Sequence, residues 1–155
     1  MDKKLTKGIT LLELVVALGI ITIVSTGIFV STRNNTNTER RTLQNASYAL
    51  RADIRYAQRR SIIEGHSYGI IFQRAYNRYL ILREVGILRT VATIDLQSKG
   101  IRIDYISGGH NQVFFKPRGT ARQSFTITLA TENYRQEITI VPSGGRAYIR
   151  PIQRT

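Results

Sequence analysis

The side chains in this sequence with the clearest capacity for chemistry are its arginines. Of 23 basic residues 18 are arginine, set against 10 acidic ones, and the formal charge is +13. A guanidinium is planar and always charged, and it can fork two parallel hydrogen bonds onto a phosphate or carboxylate. Arg146, Tyr148 and Arg150 alternate near the C-terminus, so in a strand the three share one face. Phosphates would pair with the arginines there while a base or sugar rests on the ring. Lys116, Arg118 and Arg122 add charge from the turn segment Lys116-Pro117-Arg118-Gly119-Thr120-Ala121-Arg122. A second set, Arg41, Arg51, Arg55 and Arg59, falls within one quadrant of a helix, with Tyr48 among them. The i, i+4 repeats in that set repel by about 0.2–0.5 kcal/mol per pair on an isolated helix. Such a face is a solvated surface, a surface for acidic neighbours in an assembly, or a track for a polyanion.

The sequence carries no comparable signal for catalysis. His66 and His110 are far apart, in turn-like segments, and no H-x-x-x-H spacing exists. There is no cysteine and no Walker loop. The carboxylates are scattered and outnumbered. The sequence argues against an enzyme and implies no metal or cofactor.

Two kinds of element must position the arginines. Residues 9–30 form a 22-residue stretch with fifteen apolar side chains and two glycines, behind a short leader containing Lys3, Lys4 and Lys7. As a helix it spans ~33 Å, enough for a ~30 Å hydrocarbon core. The leading lysines favour a cytoplasmic N-terminus. The run is longer than a secretory h-region, and no A-x-A site follows it. Glu13 is anomalous, because a carboxylate inside a membrane helix costs about 2.5 kcal/mol or more. A neutralising partner is expected.

Lys7-Gly8-Ile9-Thr10-Leu11-Leu12-Glu13 resembles the prepilin leader, K-G-F-T-L-x-E, of the type IV pilin-like family. The resemblance implies that a prepilin peptidase cuts between Gly8 and Ile9 and methylates the new N-terminus. It implies that Glu13, the fifth mature residue, meets the terminal amine of a neighbouring subunit during filament assembly. The first mature residue is Ile9 where the family usually has Phe. The expected localisation is single-pass in the bacterial inner (cytoplasmic) membrane with an exported head, and then within a pilus or pseudopilus.

Beyond residue 30 the composition changes. Ser31 to Thr38 has weak helix propensity and predicts a bend or loosened stretch. Leu43, Ala46, Leu50, Ile54, Ala57 and Ser61 then recur at helical spacing, and Gly65 fits a helix C′ position. From Ser67 onward short β-branched and aromatic runs alternate with turn residues such as Gly108-Gly109 and Pro142-Ser143-Gly144-Gly145. Expected strands cover 67–73, 78–84, 87–94, 100–105, 112–116, 124–130, 136–141 and 146–150. The expected fold is α+β: a long N-terminal helix, transmembrane and then amphipathic, packed on an antiparallel β-sheet head. The divisions are leader 1–8, filament-core helix 9–30, amphipathic helix 31–65 and head 66–155.

Three head segments are similar to the GspH/FimT minor pilin branch of the family: Leu50 to Ser61, Val113 to Gly119, and Ile138 to Arg146. The resemblance implies other pilins or pseudopilins as partners. FimT-like members are implicated in DNA capture through a C-terminal glycine-arginine-x-arginine motif. Here Gly145-Arg146-Ala147-Tyr148-Ile149-Arg150 sets the second arginine two residues late, although 146 and 150 keep one strand face. The alternative is a GspH-like pseudopilin of a type II secretion system whose basic faces meet protein partners.

Overall fold

The structure, a computed structural model, describes residues 11–107 and 110–155, with side chains described from 11 to 22 and from 37 onward. The expected cleavage point at Gly8 and Ile9 and the turn glycines Gly108 and Gly109 lie outside these residues. The chain divides into two compact units, residues 1–37 and 38–155.

Helix α1 runs from Leu11 to Glu64. The backbone of residues 31–38 is helical, where weak propensity predicted a bend. Each polar residue there costs only a few tenths of a kcal/mol in a helix, and propagation from a formed helix is cooperative. In the first unit Leu11, Leu12, Leu14, Val15, Val16, Leu18, Ile20 and Ile21 are exposed. Thr22 Oγ1 donates back to the carbonyls of Leu18 and Gly19, so this hydroxyl is satisfied within the helix. Among the described residues no helix is long and apolar enough to cross a membrane. The expected span of 9–30 extends beyond the residues whose side chains are described.

The second unit holds the core. Leu43, Ala46, Leu50, Ile54, Ala57 and Ser61 are buried along one face of α1, as the three- and four-residue spacing requires. Gly65 has φ of 66°, the left-handed conformation that ends a helix and suits glycine. Two antiparallel sheets follow. The first comprises β1 (Ser67–Gln73), β2 (Arg78–Val85), β3 (Ile87–Asp95) and β5 (Gln112–Phe115), in the order β3-β2-β1-β5. The second comprises β4 (Arg102–Ile106), β6 (Phe125–Ala130), β7 (Tyr134–Val141) and β8 (Arg146–Ile149), in the order β4-β6-β7-β8, with β9 (Gln153–Arg154) paired to β7. Eight strands fall on the expected segments to within two residues at each end. The ninth, β9, has two residues and carries no periodicity to detect.

Alternation places Phe125, Ile127 and Leu129 of β6 in the core and leaves Thr126 and Thr128 half-buried. The two sheets meet through Phe72 of β1 and Phe125 of β6, whose rings stack with centroids 5.2 Å apart. The Tyr79 hydroxyl donates to Asp53 of α1 at 2.6 Å. Burial, and then that carboxylate, push the Tyr79 pKa well above its ordinary value. Glu64 ties the end of the helix to the first sheet, accepting from the Tyr68 hydroxyl at 2.7 Å and pairing with Arg60 and Arg83. The Tyr68 hydrogen bond, and then the two guanidiniums, hold the Glu64 carboxyl below the usual range.

β3 is an edge strand. Its register against β2 shifts between Ile81 and Leu82, which pair with Ala92 and Thr90 and leave Val91 as a bulge. Ile87, Leu88 and Val91 are exposed on it.

Candidate nucleic-acid interface

The expected basic residues sort by the elements that carry them. The buried face of α1 leaves Arg41, Arg55 and Arg59 exposed and Arg51 half-buried on the outer side. At the other end of the chain, β7 and β8 pair from Val141 opposite Arg146 to Ile138 opposite Ile149. Alternation buries Ala147 and exposes Arg146 and Tyr148.

One amide brings these elements together. Gln58 Nε2 donates to the carbonyls of Gly119 at 2.7 Å and Gly144 at 2.8 Å. Gly119 closes the turn Lys116-Pro117-Arg118-Gly119 through its amide to the Lys116 carbonyl at 2.7 Å. Proline in second place and glycine in fourth suit such a turn. Gly144 lies in the loop between β7 and β8. Its neighbour Gly145 has φ of 59°, and a Cβ there would stand 2.5 Å from Gln58 Nε2 and 2.6 Å from the Gly119 oxygen. Both the conformation and the space demand glycine.

The result is a groove of about 460 Å³ between α1 and β8, lined by Arg51, Arg55, Gln58, Arg59, Arg146, Ala147 and Tyr148. The structure thus joins two clusters that the sequence presented separately. No carboxylate lines the groove. Among the described residues none of its four arginines takes part in an ion pair. Arg51 Nε is buried without a hydrogen-bond partner. Four unneutralised guanidiniums around one concavity set up a field that draws in anions. Phosphate oxygens match their donor geometry. The exposed ring of Tyr148 adds a flat apolar surface beside them.

Other expected residues lie elsewhere. Arg150 follows the end of β8, pairs with Glu137 at 3.4 Å and lines a different cleft with Asp104 and Glu137. Its guanidinium is therefore not with Arg146, although the strand alternation holds. Arg122 binds Glu84 and Ser67, with its guanidinium 5.1 Å from the Phe114 ring centroid. Lys116 and Arg118 are exposed on the turn that Gln58 holds, and neither lines the groove. Arg41 is exposed and does not line the groove.

Gln58 was missed by sequence reasoning. A helical wheel sets it between the arginine row and the core face, where a side chain must reach a neighbouring element. That position was the only signal. Among the described residues no three histidine or carboxylate side chains gather as metal ligands.

The family model of type II transport protein GspH matches residues 46–144, and that of the prokaryotic N-terminal methylation motif matches residues 3–29. Among solved structures the chain is similar to the type IV minor pilin FimU of Pseudomonas aeruginosa strain PAO1. Identity is 18% and the TM-score 0.60, over 74% of this chain and 92% of that one. It is also similar to the minor pseudopilin EpsH of the type II secretion system of Vibrio cholerae. There identity is 12% and the TM-score 0.61, over 75% of this chain and 98% of that one. At such identities the likeness is one of fold. No curated protein matches the chain.

Proposed function

Because this chain belongs to the GspH family of type II transport proteins, a family of minor pilins and pseudopilins, we propose that it is a filament subunit whose α1–β8 groove holds DNA by its phosphates. It is a structural and binding protein with no catalytic role. The observation that carries the DNA reading is the convergence of Arg51, Arg55, Arg59 and Arg146 on one groove with no carboxylate in its lining. Phosphate contacts give affinity without sequence preference, which suits a subunit that captures any strand.

The N-terminal segment serves assembly in this reading. Prepilin peptidase cleaves between Gly8 and Ile9, the apolar stretch anchors the subunit in the inner membrane, and the head is exported. Glu13 engages the terminal amine of a neighbouring pilin or pseudopilin, where pairing offsets the cost of a charge in an apolar setting. The motif match over residues 3–29 supports this. Mass spectrometry of protein from peptidase-positive cells should return a methylated chain beginning at Ile9. A mass that retains Met1 to Gly8 would overturn the processing step.

The binding reading is tested by fluorescence anisotropy with labelled duplex DNA at several salt concentrations. The head unit, residues 38–155, contains every residue of the hydrophobic core and is the material to use. Affinity should fall steeply with salt, with a log–log slope of about −0.9 per phosphate neutralised. Arg51→Gln with Arg146→Gln should weaken binding by about tenfold or more and flatten that slope by about two. Absence of binding near physiological salt would assign the arginines to protein contacts, as in a secretion pseudopilin.

A further inference from the structure

Resting on the reading of the α1–β8 groove as a DNA site, we infer that the site takes single-stranded DNA in preference to duplex, with unpaired bases stacking on Tyr48 and Tyr56. The arginine row is bordered on its other flank by a second groove, of about 580 Å³, that the sequence did not announce. Arg51, Arg55 and Arg59 line both grooves. Tyr48, Ala52 and Tyr56 form a parallel row at the same i, i+4, i+8 spacing, and the lining of this second groove is chiefly apolar. The two tyrosines lie about 12 Å apart along the helix axis. The small Ala52 between them leaves the space open.

Both rings are exposed, Tyr48 by 50% and Tyr56 by 38%. Both are also tethered. The Tyr48 hydroxyl accepts from Gln44 Nε2 at 3.4 Å, and the Tyr56 hydroxyl accepts from Arg60 Nε at 3.3 Å. The Arg60 guanidinium lies 5.5 Å from the Tyr56 ring centroid. Tyr148 offers a third exposed ring across the arginine row.

Phosphates and rings in parallel rows are the arrangement of a single-strand site: a charged track for the backbone beside stacking platforms for the bases. A duplex cannot use the platforms. Its bases are stacked on one another, and only their edges reach the grooves. A duplex would engage the arginines and leave the tyrosines idle. RNA shares the stacking chemistry, and the exported setting of the head favours DNA.

The test uses the full chain in zwitterionic micelles and three labelled probes of equal length: an unstructured single strand, a duplex, and an abasic strand with phosphates and sugars alone. The single strand should bind about tenfold tighter than the abasic strand. Tyr48→Ala with Tyr56→Ala should remove that margin and leave duplex affinity unchanged. Tyr48→Phe with Tyr56→Phe keeps the rings and should keep the margin, which separates stacking from a fold defect. Equal affinity for the single and abasic strands, or a duplex bound as tightly as the single strand, would overturn the inference and leave the phosphate reading intact. So would a loss in the alanine variant shared equally by all three probes. Failure of every probe to bind would overturn both.

Discussion

Gln58 donates from one amide nitrogen to two backbone carbonyls, one in the Lys116–Gly119 turn and one in the loop between β7 and β8. It holds no charge, so its contribution is to fix where charged residues stand. Loss of both hydrogen bonds in Gln58→Ala should cost about 1–3 kcal/mol of stability, because two carbonyls lose their donor. DNA affinity should fall several-fold although the net charge is unchanged. Thermal denaturation and anisotropy on one preparation would check the pair of effects; a stability loss with undiminished affinity would mean that the turns hold the groove without the clasp. At this scale the sequence was legible in part. Arg146 and Tyr148 could be placed on one face by alternation alone, and the structure exposes both. Arg150 obeys the same alternation, yet Glu137 draws its guanidinium away. A carboxylate on the adjacent strand leaves no trace in the local pattern.

Among the elements, α1 and the strands were legible because their burial is periodic. Leu43 to Ser61 recur at three and four, and β6 alternates from Phe125 to Leu129, so each segment states which side is covered. The groove was not legible for the converse reason. Its walls come from residues 51–59 and 146–148, and periodicity says that a face is covered without saying by which distant strand. The same limit hid the tyrosine row. Tyr48 reads as one aromatic among arginines, and Tyr56 joins it only when the space over Ala52 is seen to be open. The loosened stretch expected at 31–38 overrated propensity, since residues with weak preference are carried along by the helix on either side.

For the molecule as a whole the governing fact is a charge of +13. Within the head, Glu64, Glu84, Asp104 and Glu137 are each matched by an arginine at the surface. Those pairs contribute little to stability in water. They do leave the surplus concentrated on the remaining arginines, those of the groove among them. The exposed edge of β3, with Ile87, Leu88 and Val91 uncovered, lies on the same molecule. An open strand edge with apolar side chains is a template for pairing with another copy. The bulge at Val91 interrupts that template only locally, so mutual repulsion between copies is the main colloidal protection. Salt removes it, since the Debye length falls from about 10 Å at ~0.1 M to about 3 Å at ~1 M. Light scattering of the head unit should therefore rise with salt, and Ile87→Lys should hold it flat; scattering that ignores salt would show that the edge is harmless. A saturating polyanion neutralises the same charge, so a turbid mixture at stoichiometric DNA would be a precipitate of neutralised particles, and binding must be measured well below that concentration.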